Sequence, residues 1–157
     1  MEKRKIGFEL FIFDDETELS QNDQKLLRDA AAARENAYAP YSKFKVGAAV
    51  LLENGEVVIG NNQENASYPS GLCAERVAIF HAGAEYPGVT IKSVAISASS
   101  SKHEVEEPAA PCGNCRQTIM EYEQKQNSPI SLLLRSEKGP IYKCSSVADI
   151  LPLAFNS

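Results

Sequence analysis

The sequence has no excess of positive charge. Sixteen Lys and Arg stand against twenty-one Asp and Glu, a net charge of −5. A phosphate-binding surface shows a basic stripe instead. Aromatic residues are sparse, at 8%, which also disfavours stacking on a single-stranded polymer. No apolar run approaches the ~20 residues of a membrane helix. The start, Met1-Glu2-Lys3-Arg4-Lys5, carries the charge of a leader, but Glu9, Asp14 and Asp15 interrupt the apolar stretch that should follow. The expectation is therefore no signal peptide. Cysteine is scarce, with four in 157 residues. They read as reduced thiols in a cytoplasmic protein rather than as two disulfides. A chain of this length hides enough surface for one domain without covalent staples.

The elements present are mixed. Residues 1–21 are the least legible: Ile6, Phe8, Leu10 and Ile12 alternate as a strand does, while Phe11 and Phe13 spoil the polar face. They suit an edge strand or an arm on a neighbouring subunit. A helix is predicted from Ser20, carried by Leu26, Leu27, Ala30, Ala33, Arg34 and Ala37 and stopped by Pro40. Phe44 to Leu52 and Glu56 to Asn61 read as strands joined at Asn54-Gly55, a type I′ hairpin signal. Helices follow over Cys73–Ala84 and Gly113–Gln126, and strands over Ser93–Ala98, Ile130–Arg135 and Ile141–Lys143. Residues 99–110 read as a loop, and Val147 to Leu151 as a short last helix. Interleaved helices and strands imply an α/β fold, a three-layer α/β/α sandwich with a mixed sheet of about five strands.

The chemistry concentrates in Cys73-Ala74-Glu75-Arg76 and Pro111-Cys112-Gly113-Asn114-Cys115. A closed structural zinc site uses four protein ligands, whereas a catalytic site uses three and leaves a position to water. Three thiols with a carboxylate nearby suit the second arrangement, with the acid moving protons. Cys112 and Cys115 lie one helical turn apart, so both sulfurs can point one way. Cys73 and Glu75 converge on one metal only if Cys73 sits at a non-helical cap. Three thiolates and one Zn²⁺ sum to −1, and burying that charge asks for a counter-ion. Arg76, which cannot discharge, fits that place. From the residues alone, CxxC also admits a dithiol redox pair. A structural zinc site closed by Cys144, His81 or His103 stays open as well.

These residues resemble a family. Cys-Ala-Glu-Arg with Pro-Cys-Gly-x-Cys-Arg-Gln is similar to the small, homotetrameric, zinc-dependent cytidine deaminases, within the wider zinc deaminase class. Tyr41 to Ala49, Gly60 to Pro69 and Leu151 to Phe155 extend the likeness. The resemblance divides the chain into an N-terminal extension, 1–21, of unknown role, and a single zinc-dependent deaminase domain, 22–157. It implies Zn²⁺ on Cys73, Cys112 and Cys115, Glu75 as proton shuttle and Arg76 as thiolate partner. It also implies Asn62 and Glu64 at the ribose hydroxyls, Phe44 near the base and a backbone contact from Ala74. Phe155 would complete a neighbouring subunit's pocket. The implied reaction is hydrolytic deamination of cytidine and deoxycytidine in pyrimidine salvage, in the cytoplasm. The partner is a small nucleoside, with neither polymer nor membrane. A relative acting on a nucleoside antibiotic such as blasticidin S shares the metal motifs, although Phe44, Asn62 and Glu64 favour ordinary nucleosides.

Overall fold

A computed structural model describes residues 1–155. Its core is a sheet of six strands: β1 (Phe11–Phe13), β2 (Phe44–Leu52), β3 (Val57–Asn61), β4 (Ile91–Ser100), β5 (Ser131–Arg135) and β6 (Ile141–Cys144). Their spatial order is β1-β6-β5-β4-β2-β3. Only the β4–β5 pair is parallel; the other pairs are antiparallel. Three helices accompany them, α1 (Gln21–Glu35), α2 (Ala74–Glu85) and α3 (Gly113–Gln126). The sheet is thus mixed, as expected, with β1 as a sixth strand.

Side-chain alternation assigns the faces. Leu26, Leu27 and Ala30 of α1 pack with Ala49, Ala95, Leu133 and Ile141 on one side. On the other, Ala74, Ala78, Ile79 and Ala82 of α2 and Ile119 and Met120 of α3 pack with Ala48, Val50, Val94, Ile96, Leu132 and Leu134. Consecutive strand residues serve opposite layers, as a pleated strand buried on both faces requires.

Two glycines set how closely the helices approach. A Cβ on Gly47 of β2 would collide with the α1 backbone at Ala30 and Arg34. One on Gly60 of β3 would collide with the α2 backbone at Ala74 and Ala78. Both helices therefore sit against bare main chain.

Several elements differ from expectation. Helix α1 is capped by Ser20, whose Oγ accepts from Asp23 N at 3.2 Å. It ends at Glu35 rather than running to Pro40, because Tyr38 leaves the helix to bridge Gln63. The β2–β3 turn has positive φ at Gly55 but not at Asn54. Gly55 N donates to Leu52 O at 3.1 Å and Leu52 N to Glu56 O at 2.9 Å. This is a type I turn followed by a left-handed glycine, and the Asn54 side chain accepts from Glu56 N instead of Asn54 adopting positive φ. Strand β4 is longer than read, since Ser99 and Ser100 continue the pairing with Lys45 and Phe44. The last helix, Val147–Ile150, is a single 3-10 turn. In the N-terminal segment only Phe11–Phe13 pair, with Lys143, Tyr142 and Ile141.

Substituting Gly60→Ala should cost about 1–3 kcal/mol by overpacking and lower the melting temperature by about 2–4 °C per kcal/mol. Thermal unfolding of the purified variant checks this; a wild-type melting temperature would show that α2 does not depend on the bare backbone at Gly60.

Candidate active site

The two cysteine motifs meet because each starts a helix at the same place. Cys73 is the N-cap of α2, with φ −70° and ψ 152°. Cys112 is the N-cap of α3, with φ −66° and ψ 169°. Both have the extended cap backbone, and neither side chain caps its own helix, so the sulfurs are available elsewhere. Cys115 follows one turn into α3 and is fully buried. The three sulfurs lie within 4.8 Å of one another. Cys73 and Cys112 are 4.0 Å apart and Cys112 and Cys115 3.5 Å. Zn–S bonds of about 2.3 Å in a tetrahedron separate sulfurs by about 3.8 Å, so this spacing suits a zinc ion. Among the described residues, Cys73, Cys112 and Cys115 form the one such group. Cys144 lies outside it, packed in the core with α2 and α3. His81 and His103 are exposed and also lie outside it.

In the metal-free cluster the electrostatics favour one thiolate, on Cys73. Hydrogen bonding from the Cys115 thiol, aided by Cys112 and Arg76, lowers the Cys73 thiol to about 6 against its burial. Cys115 moves the other way, raised by that bond to Cys73 and by its own burial. The Arg76 Nε is buried without a hydrogen-bond partner, while its Nη2 donates to Gly71 O at 3.5 Å. This unpaired guanidinium N–H is thus free to take a charged thiolate as its acceptor. Helix N-termini add positive potential from two directions.

Glu75 stands in the first turn of α2 and is 5% exposed. Burial raises its carboxyl, and the negative charge of Cys73 adds to the effect. A carboxyl whose proton affinity is raised by burial, beside a metal-binding cluster, can both accept and return a proton.

A cleft of about 490 Å³ opens over the cluster, lined by Asn62, Glu64, Leu72, Cys73, Arg76 and Cys112 among others. Asn62 and Glu64 do share one side, but both already grip backbone. Asn62 Oδ1 accepts from Val46 N at 2.8 Å and Nδ2 donates to Phe44 O at 2.9 Å. Glu64 accepts from Tyr41 N at 2.8 Å and Ser42 N at 3.2 Å. Burial raises the Glu64 carboxyl, but these bonds outweigh it and hold the group below its usual range. Phe44, half-buried, starts β2 beside them. Ala74 is buried at the foot of α2. Phe155 is 78% exposed; its carbonyl accepts from Gln117 Nε2 at 3.2 Å. Neither Phe44, Ala74 nor Phe155 lines the cleft of this single chain.

Residues 20–128 match the family model described as the cytidine and deoxycytidylate deaminase zinc-binding region. The chain is 42% identical over 134 residues to the cytidine deaminase of Sporosarcina psychrophila, covering 85% of this chain and 90% of the relative. The chain belongs to the cytidine deaminase family. Among solved structures, that of cytidine deaminase from Burkholderia pseudomallei is 40% identical with a TM-score of 0.74, covering 87% of this chain and all of the other. Cytidine deaminase from Mycobacterium tuberculosis has a TM-score of 0.63 at 33% identity, covering 85% and 96%.

Sequence reasoning did not single out Arg116. Its Nε donates to Pro111 O at 2.7 Å and its Nη1 to Ile150 O at 2.8 Å. It thereby clamps the residue before Cys112 to the C-terminal turn. Nor did sequence reasoning single out Tyr68 and Asn114 as cleft-lining residues. The one available signal was their place inside the matched motifs.

The raised carboxyl of Glu75 gives a signed prediction for metal-free protein. The folded state holds this proton to higher pH than the unfolded chain, whose carboxyl titrates near ~4.3. Its contribution is present below that value and is lost as pH rises through the folded pKa. Metal-free Glu75→Gln should therefore melt with the parent protein at pH 4 and above it at pH 8. Calorimetry showing no difference at pH 8 would contradict the burial cost.

Proposed function

We propose that this family member is a zinc-dependent cytidine deaminase that hydrolyses cytidine and deoxycytidine to uridine and deoxyuridine with release of ammonia. The observation that carries the reading is the buried Glu75 beside three convergent sulfurs under an open cleft. Cys73, Cys112 and Cys115 would hold a zinc ion, which when bound would supply a water acidic enough to attack C4 of the pyrimidine. Glu75, buried beside the cluster, would accept a proton from the attacking water, return it at N3 and assist a second proton to the departing amine. Arg76 balances thiolate charge and keeps the sulfurs from over-neutralising the site. Ala74 offers its main chain to the base, and Phe44 borders the ring.

Asn62 and Glu64 receive the ribose. Both keep unused hydrogen-bonding capacity after bonding to residues 41–46: one amide N–H and the remaining carboxylate lone pairs. Their backbone bonds preorganise them, so little side-chain entropy is lost when the nucleoside arrives. The exposed Phe155 suits a homotetramer in which each chain completes a neighbour's pocket. Residues 22–157 form the deaminase domain and 1–21 an extension. The place of action is the cytoplasm, in pyrimidine salvage. No helix among the described residues is long and apolar enough to cross a membrane.

Glu75→Gln in the zinc-loaded protein should retain the metal yet lose about 10²–10⁴-fold in kcat. Metal analysis alongside an ultraviolet assay of cytidine consumption measures both. Normal turnover in this variant would remove Glu75 from the mechanism and with it the proposed reaction.

A further inference from the structure

The N-terminal segment is unused by the site. Ile6, Phe8 and Ile12 are 57%, 49% and 58% exposed. Leu10 and Phe11 are exposed as well. Residues 1–10 form no helix or strand. Their one side-chain polar contact among the described residues is Arg4 Nη2 to Glu2 Oε1 at 3.4 Å. The segment runs into β1, which ends the sheet: one edge of β1 pairs with β6 and the other pairs with no strand among the described residues. An apolar open edge of this kind is a template for another strand.

The order of charge along this segment selects the occupant. Lys3-Arg4-Lys5 precede the apolar alternation, and Asp14-Asp15 follow it. The two charged ends lie at nearly equal distances from Glu9. Turning the segment antiparallel on a copy of itself about Glu9 therefore sets Lys3 against Asp15 and Arg4 against Asp14. Ile6 then meets Ile12, and Phe8 meets Leu10, all on one face. Residues 11–13 of one chain thus offer their open edge to residues 5–7 of the other.

We infer that residues 3–15 of two copies of this chain pair antiparallel across the open edge of β1, joining their sheets through a two-fold strand exchange. The interface is isologous, because the same segment supplies both sides. Its core is a stripe of Ile6, Phe8, Leu10 and Ile12 from both chains. Its ends are opposite-charge clusters that fix direction, since parallel pairing would set like charges together. Glu9 meets its own counterpart at the centre, an unfavourable contact, and Lys5 is set against Phe13.

Opposed residues of an antiparallel pair have Cα atoms ~4.5–5.5 Å apart, within reach of a disulfide. The test is therefore Glu9→Cys in the full, zinc-loaded chain, treated with oxidised glutathione at low salt. The expected product on a non-reducing gel is a covalent dimer, with peptide mapping placing the link between the two introduced thiols. Adding Lys3→Glu, Arg4→Glu and Lys5→Glu should cut its yield about tenfold, given exposed ion pairs of modest strength. Adding Asp14→Lys to that set should return part of the yield. No covalent dimer, or a yield indifferent to charge reversal, overturns the inference.

Discussion

The structure depends on two helix starts meeting at one point. Cys73 and Cys112 each hold the extended conformation of an N-cap residue, so their side chains leave the helices rather than running along them. That geometry brings Cys73 to the sulfurs of α3 while Glu75, two residues on, lies inside the first turn of α2. In a continuous helix the two would point to different sides. The same cap positions put two sets of unsatisfied backbone N–H groups near the sulfurs. Three thiolates can then be held in a partly buried place with a single guanidinium as counter-charge.

The rest of the fold serves this junction. Gly60 lets α2 lie directly on β3, and the alanines of α2 keep the contact thin. Crossing from β4 to the parallel strand β5 passes through α3, which places Cys112 over the same face as Cys73. At the far end of α3 the Glu123 carboxylate accepts from Ile130 N at 2.7 Å, Ser146 Oγ at 2.6 Å and Val147 N at 3.2 Å. A nearly buried carboxylate with three donors is satisfied, and it fixes α3 against β5 and the last turn. The metal-bearing helix is thus held at both ends, by Arg116 near its start and Glu123 near its finish.

Much of this was legible in local sequence. Apolar spacing located the first helix, and turn residues bounded the other two helices and the five principal strands. The condition that Cys73 sit at a cap followed from spacing alone. What escaped depends on distant partners. No local pattern shows that Tyr38 leaves its helix for Gln63, or that Asn62 spends its amide on Phe44 and Val46. The Asn54-Gly55 pair signals a turn, but the choice between two positive-φ residues and one rests on how the strands beyond it pair. The extent of β1 was illegible for the same reason: Phe11–Phe13 are a strand only because β6 lies beside them.

The central claim is a metal held by three sulfurs with one coordination position left to solvent. X-ray absorption at the zinc edge of the purified full chain measures the coordination shell directly. Three sulfur neighbours at about 2.3 Å and one nitrogen or oxygen neighbour at about 2.0–2.2 Å are predicted. A shell of four sulfurs would show a closed structural centre and contradict the account.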